Sequence, residues 1–205
     1  MANAISISTV TNDLGEFANI ANGLGSEISS IETNFIEAMQ NIWSTELAAT
    51  TVDNLLNSVN DYVVQLNSKL PEAMENFATA VNAMLKEQDQ ATITAPSFSQ
   101  INSIARTWTV SPTEFNLPSS ASEVSDLCSS GFSDNVSKIT SKLNEMNNYV
   151  KSAMNNGLAG GYVNSVVTAI NGLITSGQEV IESYNSSAVE NAVAADTLAQ
   201  TEKGR

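Results

Sequence analysis

Slid against itself by 115 positions, with no gap, one long stretch of this sequence falls on another. Phe17 falls on Phe132, Ser26 on Ser141, Met39 on Met154, Asn41 on Asn156, Val52 on Val167 and Ser68 on Ser183. The run Ala73-Met74-Glu75-Asn76 falls on Ala188-Val189-Glu190-Asn191. Apolar character agrees further than identity does, pairing Leu24 with Ile139, Ile28 with Leu143, Ile31 with Met146, Phe35 with Val150, Leu55 with Ile170, Val59 with Ile174 and Leu66 with Ile181. A tandem duplication constrains the fold before any other feature, because both copies must obey one plan.

That plan is helical. From Val10 the apolar residues run through Leu14, Phe17, Ala21, Leu24, Ile28, Ile31, Phe35, Ala38 and Ile42, in alternating steps of three and four that make a heptad stripe. Gly15, Gly23 and Gly25 each weaken a helix by up to about 1 kcal/mol relative to Ala, but the stripe passes through them unbroken. Ser44-Thr45-Glu46 then reads as a helix start, with hydroxyls to cap and an acid in the first turn. A second stripe follows: Leu47, Val52, Leu55, Val59, Tyr62, Val63, Leu66, Leu70, Met74, Phe77, Val81 and Leu85. Pro71 inside it predicts a kink or a new segment. Two long stripes joined by a short turn make an antiparallel hairpin.

Copy two repeats this. Its first stripe is Val124, Phe132, Val136, Ile139, Leu143, Met146 and Val150, followed by a turn at Asn155-Asn156-Gly157. The return stripe is Tyr162, Val166, Ile170, Leu173, Ile174, Ile181, Tyr184, Ala188, Val189 and Val193. The chain therefore divides into a first helical hairpin (1–90), a connector rich in Pro, Ser and Thr (91–120) and a second hairpin (121–205). The connector carries Pro96, Pro112 and Pro118, yet also Ile93, Phe98, Ile101, Ile104, Trp108, Val110, Phe115 and Leu117, so it is expected to pack back on the helices and be partly ordered. A short helix over Ser97–Arg106 and an extended stretch over Thr107–Val110 fit its pattern. The tail Thr201-Glu-Lys-Gly-Arg205 is polar and expected to fray.

Composition narrows the function. Of 205 residues, 22 are acidic and 8 basic, a net charge of −14 that argues against nucleic acid or anionic lipid as partner. It fits plain solubility, or a partner with a basic face. No histidine and a single cysteine exclude an intrachain disulfide, Cys/His zinc sites and histidine-based nucleophilic catalysis. Cys128, at helical spacing from Val124 and Phe132, reads as a core or boundary thiol. Glu72/Glu75 and Glu179/Glu182 are like-charged i, i+3 pairs of a solvated face, so no catalytic residue, metal ligand or cofactor is expected. The Met1–Ser8 segment lacks the basic and apolar regions of a secretory signal, and no stretch approaches the roughly 18 to 20 apolar residues of a membrane span.

Each hairpin turn carries a large apolar residue, one residue, then a small one: Trp43-Ser44-Thr45 and Leu158-Ala159-Gly160. The bulky side chain would close the end of the hairpin core and the small one would let the backbone turn beside it. Two such turns, each centred in a hairpin of about 80 residues, resemble the WXG100 (ESAT-6-like) family of Gram-positive bacteria, and the Leu-x-Gly form resembles the related LXG proteins. The resemblance covers both copies and leaves the connector aside. Trp43 takes the family's Trp position and Gly160 its Gly position; Thr45 and Leu158 depart from the motif. The resemblance implies an all-α fold in which the two hairpins pack as an intramolecular four-helix bundle, a pseudo-dimer on one chain. It also implies a non-enzymatic interaction protein of type VII secretion, either a secreted substrate or a targeting partner of a larger toxin. Partners would be WXG100- or LXG-type helical proteins or the secretion machinery, the chain being a monomeric pseudo-dimer or a homodimer. Localisation would be secretion without a signal peptide, or the cytoplasm before export.

The family's export signal, Tyr-x-x-x-Asp/Glu, is missing: Leu66, Ala153, Val166 and Ala188 stand four residues after Tyr62, Tyr149, Tyr162 and Tyr184. A partner would then supply the signal. Trp108 and Phe115 are the connector aromatics best placed to touch a partner, although packing onto the bundle is the role expected first. The alternative function is a pore-forming or membrane-perturbing toxin component inserting Ile93–Leu117, against which the lack of a long apolar or basic amphipathic segment counts. Leakage from liposomes separates the two.

Overall fold

The computed structural model describes residues 6–203, and within them the side chains of all but 187–189, 191, 192, 199, 202 and 203. The Met1–Ile5 part of the amino-terminal segment, the stripe positions Ala188 and Val189, and the end of the tail, Gly204–Arg205, lie outside what is described. The described chain is all-helical, with no strand. Helix α1 spans Ile7–Ile31, α2 Ala38–Ile42, α3 Glu46–Glu87, α4 Ala121–Leu127, α5 Asp134–Asn155 and α6 Gly161–Lys203. A π-helical turn, Glu32–Glu37, joins α1 to α2, and a second, Cys128–Ser133, joins α4 to α5.

The first π turn corrects the heptad reading. Val10, Leu14, Phe17, Ala21, Leu24, Ile28, Ile31 and Phe35 are buried as the stripe requires. Beyond Phe35 the inward positions become Ile36, Met39 and Trp43, while Ala38 and Ile42 are only half-buried. From Ile31 the core then steps by four, through Phe35 and Met39 to Trp43, and the wider π turn absorbs the extra residue an α-helix would rotate away. Leu47, Tyr162 and Val193, also expected inside, are exposed; Val163 and Ala195 are buried instead.

Pro71 does not begin a new segment, since α3 runs through it for 42 residues. An interior proline costs about 3 kcal/mol. Leu70, Ala73, Met74 and Phe77, all buried around it, offset that cost. The helix ends where Asp89 adopts a positive φ of 52° and the N–H of Gln90 reaches back to the Leu85 carbonyl.

Two compact units are built from the chain, one from Met1–Gly25, Val64–Ile101 and Thr140–Ser176, the other from Ser26–Val63, Asn102–Ile139 and Gly177–Arg205. In the first, Phe17 of α1 packs edge-on against Phe77 of α3 with centroids 5.5 Å apart. Asn147 of α5 donates to Asn171 of α6 at 3.2 Å, and Ser176 of α6 donates to Gln65 of α3 at 2.8 Å. Asp13 of α1 is hydrogen-bonded by Ser152 of α5.

The connector half of this unit is not the helix expected over Ser97–Arg106. Its backbone pairs with asparagine side chains instead. Asn82 Nδ2 donates to the Ile93 carbonyl and the Ile93 N–H donates to Asn82 Oδ1, both at 2.8 Å. Asn67 repeats this with Ile101 at 2.9 and 2.8 Å. Asn22 donates to the Ser97 carbonyl at 3.0 Å and accepts from the Ser99 N–H at 2.8 Å. The fifteen helical residues from Asn67 to Asn82 rise about 22 Å. Eight connector residues cover the same distance, about 2.8 Å each, the reach of an extended or polyproline chain and nearly twice that of a helix. Side-chain amides with one donor and one acceptor thus replace the partners a helix would have found within itself. Asn67→Ala is expected to cost about 1–3 kcal/mol by orphaning the part-buried Ile101 N–H and C=O. Amide exchange at Ile101 should accelerate sharply; unchanged protection there would refute the strap.

Asp13 is a buried carboxylate, 7% exposed, whose Oδ2 has no hydrogen-bond partner. Burial raises its pKa above the usual carboxylate range, and the Ser152 hydroxyl offsets part of the rise. The folded chain therefore holds this proton more tightly than the unfolded chain. The resulting stabilisation is complete below the ordinary carboxylate range and disappears as pH rises through the folded pKa. Asp13→Asn should raise Tm at neutral pH, with the gain over wild type vanishing as pH falls below about 4. Melts of both proteins across pH 3–8 check the sign; a variant less stable at pH 7 than at pH 4, relative to wild type, would reverse it.

Candidate functional site

The turn between α2 and α3 and the turn between α5 and α6 are closed by different chemistry. In the second unit, α2 stops at Ile42 and Trp43 turns to an extended backbone (φ −152°), its N–H still on the Met39 carbonyl at 2.7 Å. The indole is fully buried and its Nε1–H finds no acceptor. Thr45, where the motif has glycine, caps α3: its Oγ1 accepts from the Ala48 N–H at 3.3 Å. Ser44 faces the connector, accepting the Asn116 N–H at 2.8 Å and donating its own N–H to the Asn116 carbonyl at 3.1 Å. Asn116 also donates through Nδ2 to the Gln40 carbonyl at 3.0 Å.

In the first unit, α5 ends in a Schellman motif. Gly157 takes φ 100° and donates to Met154, and Leu158, 2% exposed, donates to Ala153 at 3.0 Å. Leu158 is thus the buried apolar residue that follows a glycine cap. Gly160, at φ 114°, meets nothing within 4 Å of an added Cβ, so backbone conformation and not space requires glycine there. The pattern Asn-Asn-Gly marked the turn; that Gly157 was the cap setting Leu158 inward was not read from it.

Trp108 and Phe115, paired as possible partner contacts, part company within the second unit. Trp108 is 5% exposed and donates its indole N–H to the Ile36 carbonyl at 3.2 Å, in the π turn. The Arg106 guanidinium lies 4.8 Å over its ring and hydrogen-bonds its carbonyl. Arg106 is held in turn by both Asp53 oxygens, at 3.0 and 3.1 Å. Asn60 clasps the Ile104 backbone from both sides at 2.9 and 3.0 Å. Trp108 therefore packs in the fold, whereas Phe115 stands 51% exposed beside the anchored Asn116.

In the same unit Phe35, Phe132 and Tyr184 form an aromatic cluster, with centroids 4.1 to 6.2 Å apart. Cys128 is buried against Tyr184, and burial raises both pKa values. Burial of this kind disfavours the thiolate, the form in which a cysteine is nucleophilic. Among the described residues no three His, Cys, Asp or Glu side chains gather as metal ligands, and no helix is long and apolar enough to cross a membrane. In comparisons with protein-family models, curated proteins and solved structures, the chain matches none.

Proposed function

We propose that the chain is a non-enzymatic helical interaction protein of a type VII secretion system, exported as a substrate or acting as a targeting partner of a larger toxin. The observation carrying this reading is the composition of the two compact units. Each joins the closed end of one copy to the open end of the other: the Leu158 turn with the start of α1 and end of α3, the Trp43 turn with α4 and the end of α6. Two hairpins packed antiparallel, as an intramolecular four-helix bundle, have this composition. Within the first unit the pairs α1–α3, α1–α5, α5–α6 and α6–α3 close a ring of four helices, which supports the bundle. Such a pseudo-dimer fills its own core. Its apolar stripes are spent internally, so a partner must bind its outer surface. The antiparallel arrangement also accounts for the strapped connector, which must run back along α3 before the second copy begins.

The test compares cell and culture-medium fractions from the native organism by mass spectrometry, with and without the secretion ATPase. Appearance in the medium only with a working ATPase, together with a larger helical protein, is the expected result. Retention in both strains without such a partner would end the secretion reading and leave the fold untouched.

A further inference from the structure

Phe115 lines two grooves of the second unit, which also share Ser111. One groove, of about 540 Å³, is walled by Leu47, Val110, Pro112 and Leu198, with Glu46 also in its lining. The other, of about 590 Å³, is polar, lined by Gln40, Thr109, Thr113 and Glu114 among others. Neither lining contains a lysine or arginine. Leu47 and Phe115 are two of the large apolar side chains the chain leaves exposed, at 40% and 51%. The segment presenting Phe115 is held rigid, since Asn116 bonds to Ser44 and Gln40 and the Ser111 hydroxyl accepts the Glu114 N–H at 3.0 Å. An aromatic fixed before binding loses little entropy on contact, as interface anchors require.

Charge states what fits there. The second unit holds 15 of the 22 acidic residues and 4 of the 8 basic ones, a net −11, against 7 and 4, a net −3, in the first. We propose that the grooves flanking Phe115 dock a basic amphipathic helix of a partner protein, its apolar face against Leu47, Val110 and Phe115 and its Lys or Arg side chains toward Glu46 and Glu114. This rests on the interaction-protein reading above and names the surface and the partner chemistry that it leaves open. Apolar anchoring supplies affinity, and the acidic field supplies encounter rate and selection.

The probe is a labelled synthetic peptide of about 18 residues with Leu at helical spacing and Lys on the opposite face, beside a copy bearing Glu for Lys. Anisotropy titrations use the full chain, Phe115→Ala, and a Glu46→Gln/Glu114→Gln double variant. Phe115 is half out in solvent, so its truncation leaves the melting curve near wild type. The expected result is binding of the Lys peptide alone, weakened about tenfold or more by Phe115→Ala and several-fold by the double variant and by 0.5 M salt. Equal binding to Phe115→Ala, or equal binding of the Glu peptide, overturns the proposal. A dimer dissociated by Phe115→Ala in sedimentation, or phosphatidylcholine vesicles bound through Phe115, overturns it in favour of a second copy or a lipid surface. Loss of the surface in these assays while ATPase-dependent release persists removes this inference alone; the converse removes the secretion reading alone.

Discussion

Gly131→Ala is expected to lower the melting temperature by about 10 °C. An added Cβ at this position would lie 2.3 Å from the Asn34 carbonyl oxygen, 3.1 Å from its carbon and 3.0 Å from Leu127 Cδ1. The obstacle is backbone, so no rotamer change relieves it. Asn34 belongs to the first π turn and Gly131 to the second, and the two turns pack directly on each other. Asn135 ties them further: its Nδ2 donates to the Gly131 carbonyl at 2.6 Å and its Oδ1 accepts from Asn34 at 3.3 Å. Relief therefore requires separating the π turns, and with them the contacts of Phe35 with Phe132 and Tyr184. Overpacking against fixed atoms costs about 3 kcal/mol or more, and a chain of this size loses about 2–4 °C per kcal/mol. Gly15→Ala is the control, because an added Cβ there meets nothing within 4 Å and helix propensity should make it stabilising by up to about 1 kcal/mol. If Gly131→Ala melts within about 2 °C of wild type, the close approach of the two turns is wrong.

The helical plan was legible because burial in this chain is periodic. Wherever the backbone keeps near 3.5 residues per turn toward the core, as from Val10 to Phe35 and from Val52 to Leu85, the apolar stripe and the buried face coincide. The reading failed where local geometry changed the count. A π turn leaves no mark in composition, so the stripe continues on paper to Ala38 and Ile42 where Ile36 and Met39 are the buried residues. Pro71 breaks a helix by local propensity, which says nothing of the packing that carries α3 through it. Tyr162 and Val193 follow the periodic pattern yet face solvent, and only tertiary placement decides that. The connector departs from its sequence pattern for a related reason. Spacing of Ile101 and Ile104 by three suits a helix, but these residues are both buried because an extended chain is clamped by Asn67 and Asn60. Asparagines on an exposed helix face look like solubility, and their bidentate fit to a distant backbone has no local signature. At the candidate surface, the sequence points to Phe115, but helical spacing places Leu47 in the core, and no local pattern marks the grooves beside Phe115.

Trp43→Ala is expected to cost about 3–5 kcal/mol, the usual toll of deleting a large aromatic from a well-packed core. Trp43 is wholly buried at the turn between α2 and α3, and its Nε1–H has no acceptor. An orphaned donor in such a place costs about 1–3 kcal/mol against a residue of the same shape without it. The indole is thus retained for its volume, in spite of its polar atom. Trp43→Phe follows as the discriminating variant: it loses part of the volume but also relieves the unpaired N–H, so its net cost should stay near 1 kcal/mol, well short of Trp43→Ala. Thermal melts of the two variants rank the terms directly. Were Trp43→Phe as damaging as Trp43→Ala, the N–H would have to be bonded, and the turn would be held by a polar contact and not by filling its end. The same logic separates the two copies. Leu158 fills the other turn with no polar atom, behind a glycine cap that sets its direction, so volume is what the two closures share.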